Sequence, residues 1–179
     1  MHLSFFLPIK TSRNMKIVKY PNNVLVKKSE PVTTVDDELR EFVIELYQLM
    51  VDNNGMGIAA PQVGKNIRLF IFPAKSIGNY QCAINPAITS VSDRKILAPE
   101  GCLSFPDLNV DIKRHASIEV RYADLDGEYI TETLHGIRAR CFQHEMDHLN
   151  GIVHLDRLSK TRKRVALRKW RKKRKLKTR

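Results

Sequence analysis

Cysteine, long apolar runs and C-terminal acidic residues are scarce in this sequence of 179 residues. Its three cysteines, Cys82, Cys102 and Cys141, cannot all pair with one another, and disulfide scaffolds carry more cysteines in smaller domains. No run approaches the roughly 20 apolar residues of a membrane-spanning helix, because the longest one near the N-terminus, at 3–9, contains a serine and a proline. We therefore expect a soluble protein of a reducing compartment, without a membrane partner.

Acidic residues are also missing from residues 157–179, which contain fourteen Lys or Arg. The chain has 31 Lys and Arg in all, so about 17 remain against its 19 Asp and Glu, and the net charge of +12 belongs to the C-terminal segment. Two interpretations stay open here, a segment that binds a polyanion and a solvated tail. The candidate polyanion-binding residues are Arg162, Lys163, Arg164, Arg168, Lys169, Arg171, Lys172, Lys173, Arg174 and Lys175.

Residues 1–14 precede a second methionine, Met15, from which the sequence resembles a natural protein start. The fourteen residues lack acids and carry Lys10 and Arg13, as targeting peptides do, but they are short and have no convincing cleavage site. We therefore favour an upstream or disordered extension. The expected location is cytoplasmic, or organellar if residues 1–14 act in targeting.

The apolar pattern predicts helices at 36–52 and 136–149, the second ended by Asn150-Gly151. An Asp126-Gly127 pair predicts a hairpin turn. Because several strands lie between the two helices, the order predicts an α+β domain with the second helix packed against antiparallel sheets. Runs rich in β-branched and aromatic residues predict strands at 67–72, 80–84, 88–92, 110–112, 117–123 and 129–134.

The second predicted helix contains a His-Glu-x-x-His sequence, with His144 and His148 four residues apart. At 3.6 residues per turn the two imidazoles lie about 40° apart on one face, so both can reach one ion. The Glu145 carboxylate can reach a metal-bound water without binding the metal itself, as a general base requires. The same five-residue pattern also arises by chance in unrelated helices.

A catalytic ion of the zinc type takes three protein ligands and keeps one open position, so a third ligand is needed. His154 lies downstream, but its spacing does not reproduce the longer pattern in which a third histidine follows a glycine turn. Upstream, Cys102 as a thiolate would complete a Cys-His-His site, and Gly101 lets the chain approach the ion closely. The alternative is a buried structural cysteine.

Residues 55–62 read Gly-Met-Gly-Ile-Ala-Ala-Pro-Gln, and residues 100–104 read Glu-Gly-Cys-Leu-Ser. Together with the histidine motif they resemble the three signature motifs of the peptide deformylases, in the family's order. Those motifs are Gly-h-Gly-h-Ala-Ala-x-Gln (h, apolar), Glu-Gly-Cys-Leu-Ser and Gln-His-Glu-x-Asp-His-Leu. Every fixed position matches, with Gln143 and Leu149 completing the third motif, and the resemblance covers roughly residues 15–159.

The resemblance implies the family's fold, antiparallel sheets around a central metal-binding helix, and its reaction, hydrolysis of the N-formyl group of N-formylmethionyl nascent polypeptides to release formate. A metal-bound hydroxide would be the nucleophile, with Glu145 as general acid/base. Gln62 and the Leu103 backbone N–H would donate to the oxyanion. One divalent ion is implied, Fe²⁺ in most members, with Zn²⁺, Ni²⁺ or Co²⁺ also accepted. The metal ligands it assigns are Cys102, His144 and His148.

The same resemblance implies an apolar pocket for the methionine side chain beside the metal. Gly57 would keep the formyl end narrow. Arg140 lies on a similar helix face, where it either caps the edge of the pocket or points away. The alternative for the apolar candidates is an ordinary core position. The candidate substrate-binding residues are Met56, Gly57, Glu100, Gly101, Ile137 and Cys141.

One position departs from many relatives, because Asn109 stands where some bacterial members carry an arginine that touches the bound peptide. This difference affects the expected contacts with the backbone of the bound peptide and not the residues expected to carry out the reaction. For Arg114 two hypotheses remain, a pair with Glu100 that holds the cysteine loop and a surface salt bridge.

Two other functions fit parts of the sequence, a zinc peptidase of the His-Glu-x-x-His type and a catalytically dead module that binds the ribosome or RNA. In relatives a basic C-terminal helix is thought to dock on ribosomal RNA, and Ser159 can begin such a helix here. We divide the chain into an extension at 1–14, a catalytic domain at 15–158 and a basic helix or tail at 159–179.

Overall fold

α-Helices occupy three segments of residues 15–177, the part of the chain that the computed structural model describes. The helices predicted at 36–52 and 136–149 are confirmed. The predicted extension at 1–14 lies outside the described residues. The helices are Asp37–Asp52 (α1), Gly136–Leu149 (α2) and Lys160–Lys177 (α3).

Local chemistry explains where these helices begin and end. α1 begins where the Asp36 carboxylate accepts a hydrogen bond from the Leu39 N–H at 2.9 Å. α2 is followed by Gly151 with φ +69°, a left-handed conformation that favours glycine. A Cβ atom at Gly151 would lie 2.7 Å from the Val26 carbonyl oxygen, so the turn also leaves no room for a side chain.

Strands within residues 15–177 form two antiparallel sheets, one of five strands in the order β1-β2-β3-β6-β7 and one consisting of the β4–β5 hairpin. α2 contacts the larger sheet and β5 and is buried along most of its length. The α+β class with a central helix is therefore confirmed. The strands are Ile58–Ala59 (β1), Leu69–Pro73 (β2), Tyr80–Val91 (β3), Lys95–Cys102 (β4), Phe105–His115 (β5), Ser117–Ala123 (β6) and Tyr129–His135 (β7).

The predicted break in the middle of β3 is wrong. The strands predicted at 80–84 and 88–92 form one strand, whose register shifts around Pro86. Asn85 has φ +50°, and its side chain bonds the backbone N–H and C=O of Val32 at 2.9 and 2.8 Å. The interruption is therefore a β-bulge, which keeps the strand in the sheet, and not a turn between two strands.

The sequence pattern misses β4 and most of β5, of which it predicts only 110–112. Most residues of β4 are exposed or partly exposed, so the strand has no alternating apolar face. Pro99 and Pro106 also argue against strands in a reading of the sequence. Pairing between the two strands and their contacts with α2 stabilise both strands despite the two prolines and the missing apolar pattern.

The two faces of the larger sheet bury different helices. Phe142 of α2 lies edge-to-face on Phe70 and Phe72, with ring centroids 4.8 and 5.1 Å apart. Leu69 and Ile71, which alternate with those two phenylalanines along β2, pack on the side of α1. Each fully buried side chain of this size contributes about 1.5–3 kcal/mol, so this packing fixes α2 firmly against the sheet.

α3 is attached to the rest of the fold by Trp170, which is buried against Phe105. Its indole Nε1 donates a hydrogen bond to the Pro106 carbonyl at 2.8 Å. The helix predicted after Ser159 is confirmed, with the Ser159 hydroxyl accepting a bond from the Arg162 N–H at 3.4 Å. In residues 15–177 no helix has both the length and the apolar character needed to span a membrane.

Candidate metal centre

Two structural elements supply the three predicted metal ligands. α2 carries His144 and His148 on one face, and the C-terminal end of β4 carries Cys102. Their nitrogen and sulfur ligand atoms all lie within 4.8 Å of one another, and the Cys102 Sγ is 3.2 Å from the His148 Nε2. Among the residues the structure describes, this is the group with metal-ligand geometry. A thiolate and two imidazoles suit a zinc-type or ferrous ion, so the donor set fits the implied metal.

A buried carboxylate orients the first histidine. Glu100 Oε2 accepts a hydrogen bond from His144 Nδ1 at 3.0 Å, which leaves His144 Nε2 for the ion. Burial lowers the pKa of His144, but hydrogen bonds with Cys102 and Glu100 outweigh it and raise the pKa well above its ordinary value. For His148, burial and the neighbouring His144 lower the pKa well below the ordinary value. The two histidines therefore favour different protonation states, the charged form for His144 and the neutral form for His148.

Glu145 has the environment of a general acid/base. It is buried, and its Oε2 has no hydrogen-bond partner among the described residues. Burial, with a further contribution from the charge of Glu100, raises the pKa of Glu145 to about 7 against the opposing effect of His144. A carboxyl group that titrates near neutral pH can both take up and release a proton there.

Gly57 provides the space that Glu145 occupies. A Cβ atom on Gly57 would lie 2.6 Å from the Glu145 Oε1 and 2.6 Å from the Cys141 Sγ. The backbone oxygen of Ile71 would be only 3.0 Å away, so the chain has little freedom to move. The absence of a side chain at Gly57 is thus needed to seat Glu145.

Gln62 points its amide toward the ligand group. Its Oε1 accepts from the Ala59 N–H at 2.9 Å, and its Nε2 faces the Cys102 Sγ at 3.5 Å and the Ser104 Oγ at 3.3 Å. The first bond fixes which end of the amide is the donor. The neighbouring Leu103 carbonyl accepts a bond from Lys19 Nζ at 2.8 Å, which holds the backbone beside the cysteine.

The predicted pair of Arg114 and Glu100 is confirmed, and its surface alternative is wrong. Arg114 Nε and Nη2 donate to the two oxygens of Glu100, each at 2.9 Å, and both side chains are about 95% buried. Arg114 Nη1 also bonds Asp147 at 2.6 Å, and Asp147 in turn pairs with Arg157. Burial works to raise the pKa of Glu100, but the bonds from His144 and Arg114 hold it well below its ordinary value.

Sequence reasoning missed the roles of Asp147, Arg157 and Arg140 in this charge network. Arg140 does not point away from the site, because it lines the groove beside the ligand group and its Nη1 donates to Glu100 Oε1 at 2.6 Å. Asp147 is a fixed position of the third motif, and its place there could have identified it from the sequence. No spacing rule connects these residues, because their partners lie on other strands and helices.

A groove of about 490 Å³ opens beside the ligand group. Met56 and Ile137 are about half exposed, so an ordinary core position is the wrong interpretation for these two, whereas Cys141 is buried within the core behind them. Asn109 also lines the groove, with its Oδ1 facing Gly101. The predicted residues that line the groove are Met56, Gly57, Gln62, Glu100, Gly101, Cys102, Leu103, Ile137, Arg140, Cys141, His144 and Glu145, and unpredicted ones include Lys19, Phe105, Pro106 and Asp107.

His154 lies close to the centre but outside the ligand group. Its ring centroid is 5.9 Å from that of His144 and 4.9 Å from that of Phe105. Burial, with the charge of His144, lowers the pKa of His154 to about 3. The expectation that His154 is not the third ligand therefore agrees with the geometry.

Six of the ten predicted polyanion-binding residues lie along one face of α3. A stripe along one face, which we call the basic stripe, is long enough to line a shallow groove of about 660 Å³. Arg174 instead lies over the Trp170 ring at 5.0 Å, on the side that meets the domain. The basic stripe consists of the predicted residues Lys163, Arg164, Arg168, Arg171, Lys172 and Lys175 together with Lys160, which was not predicted. The other predicted residues are Arg162, Lys169, Lys173 and Arg174.

Comparison with known proteins gives one consistent result. The family model described as polypeptide deformylase matches residues 14–164. The peptide deformylase of Thermotoga petrophila is 44% identical over 155 residues, which cover 86% of this chain and 92% of that protein. The chloroplastic peptide deformylase 1B of Oryza sativa is 39% identical over 81% of this chain and 55% of that protein.

Solved structures agree with the sequence comparisons. A peptide deformylase from Plasmodium falciparum superposes with a TM-score of 0.82 at 36% identity, covering 88% of this chain and 94% of that one. A peptide deformylase from Legionella pneumophila gives a TM-score of 0.84 at 33% identity, with 92% and 97% covered.

Proposed function

This chain belongs to the peptide deformylase family of metal-dependent hydrolases, and we propose that the groove beside its Cys-His-His group removes the formyl group from N-formylmethionyl peptides. The proposal rests on one observation. The ligand atoms of Cys102, His144 and His148 lie within 4.8 Å of one another, beside the buried carboxyl group of Glu145. The reaction adds water across the formamide bond and yields formate and a free amine.

The proton-handling residue in this proposal is Glu145. A bound divalent ion supplies the Lewis acidity that makes a water molecule reactive near neutral pH. Glu145, with a pKa of about 7, accepts the proton that the attacking water gives up. It then delivers a proton to the departing nitrogen, so that the amine leaves uncharged and the carboxylate is restored.

The oxyanion that forms on the formyl oxygen would accept hydrogen bonds from Gln62 Nε2 and from the Leu103 backbone N–H. Support for Gln62 comes from its buried, fixed amide, whose donor end faces Cys102. Preorganised donors of this kind are each worth about 10²- to 10³-fold in rate. Lys19 would hold the Leu103 peptide in place through its bond to the carbonyl.

The methionine side chain of the substrate would lie against Met56, Ile137 and Cys141, which line the groove next to Glu145. Gly101 and Asn109 would face the peptide backbone. A larger acyl group than formyl would collide with the wall that Gly57 and Glu145 form, since even a Cβ atom added at Gly57 would lie 2.6 Å from the Glu145 Oε1.

For the metal we propose ferrous iron, with Zn²⁺, Ni²⁺ or Co²⁺ as functional substitutes. All four accept one thiolate and two imidazoles, so the donor set is compatible with each of them. For the location we propose a compartment where formylated chains are made, the cytoplasm or an organelle, since the relatives include bacterial and chloroplastic proteins.

The proposed partners are formylated nascent peptides and, through the basic stripe, the ribosome. Nascent chains leave the ribosome at one exit, so an enzyme held there meets them at a raised effective concentration. A stripe of seven cations on one exposed helix face is suited to ribosomal RNA phosphates. The alternative is a tail that binds any polyanion weakly.

The direct test is formate release from a formyl-Met-Ala peptide by protein purified without oxygen and supplied with Fe²⁺, together with metal analysis. The proposal expects turnover and about one ion per chain. Cleavage of internal bonds in unformylated peptides would instead support a zinc peptidase, and neither activity nor bound metal would support a dead binding module.

A further inference from the structure

The β4–β5 hairpin carries one metal ligand but pairs with no other strand among the described residues. A two-stranded hairpin is marginally stable by itself in water. Metal–ligand distances must be correct within about 0.2 Å, so Cys102 at the end of β4 needs a fixed position relative to α2. Contacts outside the strand pairing must therefore hold the hairpin against the helix that carries His144 and His148.

Arg140 of α2 makes such contacts with both strands of the hairpin. Its Nη2 donates to the Ile96 carbonyl of β4 at 2.7 Å. Its Nη1 donates to the Ile112 carbonyl of β5 at 3.0 Å and lies 3.4 Å from the Ala98 carbonyl. The same nitrogen donates to Glu100 Oε1 at 2.6 Å. One planar guanidinium thus joins α2, β4 and β5. A lysine ammonium could not do so, because its reach is shorter and its donors are not held in a fixed fork.

Arg140 also shares a carboxylate with a metal ligand. It precedes His144 by four residues, so the two side chains lie on one face of α2. Arg140 bonds Glu100 Oε1 while His144 Nδ1 bonds Oε2 of the same group. Glu100 stands two residues before Cys102 on β4, so a shift of β4 moves the cysteine and the partner of the histidine together.

We propose that Arg140 is a positioning residue of the metal centre, which ties β4 to α2 and thereby slows release of the ion. The inference rests on the proposed metal site. Arg114 of β5 also links the hairpin to α2, since it bonds both Glu100 and Asp147, but the hydrogen bond to the β4 backbone carbonyl of Ile96 comes from Arg140. Removing Arg140 leaves the β4 carbonyls without this link to the helix.

The test compares Arg140 with Arg138, a matched arginine on the same helix. Arg138 has a side chain 17% exposed against 12% for Arg140, and it bonds Glu132 and the Pro73 carbonyl, away from the hairpin. Arg140→Met and Arg138→Met keep an unbranched stem but remove the donors. Arg140→Lys and Arg138→Lys keep the charge without the planar fork.

The measurement uses full-length protein loaded with Co²⁺, whose thiolate charge-transfer absorption reports the bound ion. Excess chelator is added, and the decay of that absorption gives the release rate. Arg140→Met is expected to release Co²⁺ about 10- to 100-fold faster than the parent, Arg140→Lys at an intermediate rate, and Arg138→Met at the rate of the parent. Urea unfolding of all proteins separates this effect from a general loss of stability.

Equal release rates for the two methionine variants would overturn the inference. If Arg140→Met does not fold, the two lysine variants decide it by the same measurement. A parent that binds no cobalt would overturn the metal site and this inference together. Release rates need no turnover, so unchanged release with normal formate production would reject the role of Arg140 and leave the proposed function standing.

Discussion

Glu145 shows how burial creates a reactive group from an ordinary side chain. Its carboxyl sits between the proposed metal ligands and a glycine, with one oxygen lacking a partner among the described residues. A surface glutamate would be ionised at neutral pH and would be a weak base. Burial raises the pKa of Glu145 to about 7, where both protonation states are populated and each half of the proposed proton transfer is accessible.

Glu145→Gln should therefore retain metal and fold but lose deformylation, because the amide keeps the shape of the side chain and cannot carry the proton. General acid–base groups typically contribute about 10²- to 10⁴-fold, and a loss of kcat at or beyond this range is expected. Formate release and metal content are measured on the same preparation. Near-normal turnover with bound metal would show that another group moves the proton.

Gly57→Ala should reduce kcat/KM by about 10²-fold without removing the metal. The added methyl group would lie 2.6 Å from the Glu145 Oε1, which must move away from the reacting atoms. Gly55→Ala is the matched control, since a Cβ atom there would be equally crowded, 2.9 Å from Leu103 Cδ1 and from Met50 Cγ, but its three nearest atoms do not include Glu145. An equal loss of formyl peptide turnover in both alanine variants would contradict the displacement of Glu145 as the cause.

At the scale of elements, α3 combines two surfaces with different roles. Trp170 anchors one side of the helix to Phe105 and Pro106, which border the groove. The basic stripe lies on another side and faces outward. Deleting α3 would remove both surfaces and expose part of the core, so point substitutions in the stripe are the better test of the proposed ribosome contact.

The triple variant Arg164→Gln, Arg168→Gln, Arg171→Gln should keep formyl peptide turnover and lose ribosome binding. Each lost phosphate contact should also lower the slope of log affinity against log salt by about one. Co-sedimentation with ribosomes at low and moderate salt measures both effects. The control changes three exposed lysines outside α3, Lys27, Lys28 and Lys75, to Gln. Equal binding by the two triple variants would favour a general polyanion effect.

On the scale of the whole molecule, polar contacts between distant segments hold the sheets and helices together. Glu132 of β7 accepts bonds from Gln81 of β3, Tyr122 of β6 and Arg138 of α2. Burial works to raise the pKa of Glu132, but the bonds from Arg138 and Tyr122 outweigh it and leave the pKa below its ordinary value. This cluster is separate from the metal ligands, so it reports on stability alone.

Stability should consequently depend on pH through Glu132. Because its pKa is lower in the folded state, the folded protein gains from the charged form above the unfolded pKa of about 4.3, and that gain is lost as pH falls below it. Glu132→Gln should lower the free energy of unfolding at pH 7, and the difference from the parent should shrink in acid. Urea unfolding at several pH values measures it. A difference that is constant with pH would contradict the role of charge.

The sequence alone determined the features that depend on neighbouring residues. The helical repeat put His144 and His148 on one face, Asn150-Gly151 marked the end of α2, and three short motifs identified the family. Such predictions hold because residues three or four apart in a helix lie on the same face, whatever the rest of the fold does.

Only the tertiary structure decided how distant segments meet. Glu100 bonds Arg140 and His144 of α2, and no sequence spacing predicts these two contacts, whereas its pair with Arg114 is one of the two hypotheses that the sequence leaves open. β4 lacks an apolar pattern because much of it faces solvent, so its pairing with β5 became visible only in the fold. The physical reason is that buried charges and hairpin strands are stabilised by partners far away in the chain, whose approach the rest of the molecule enforces.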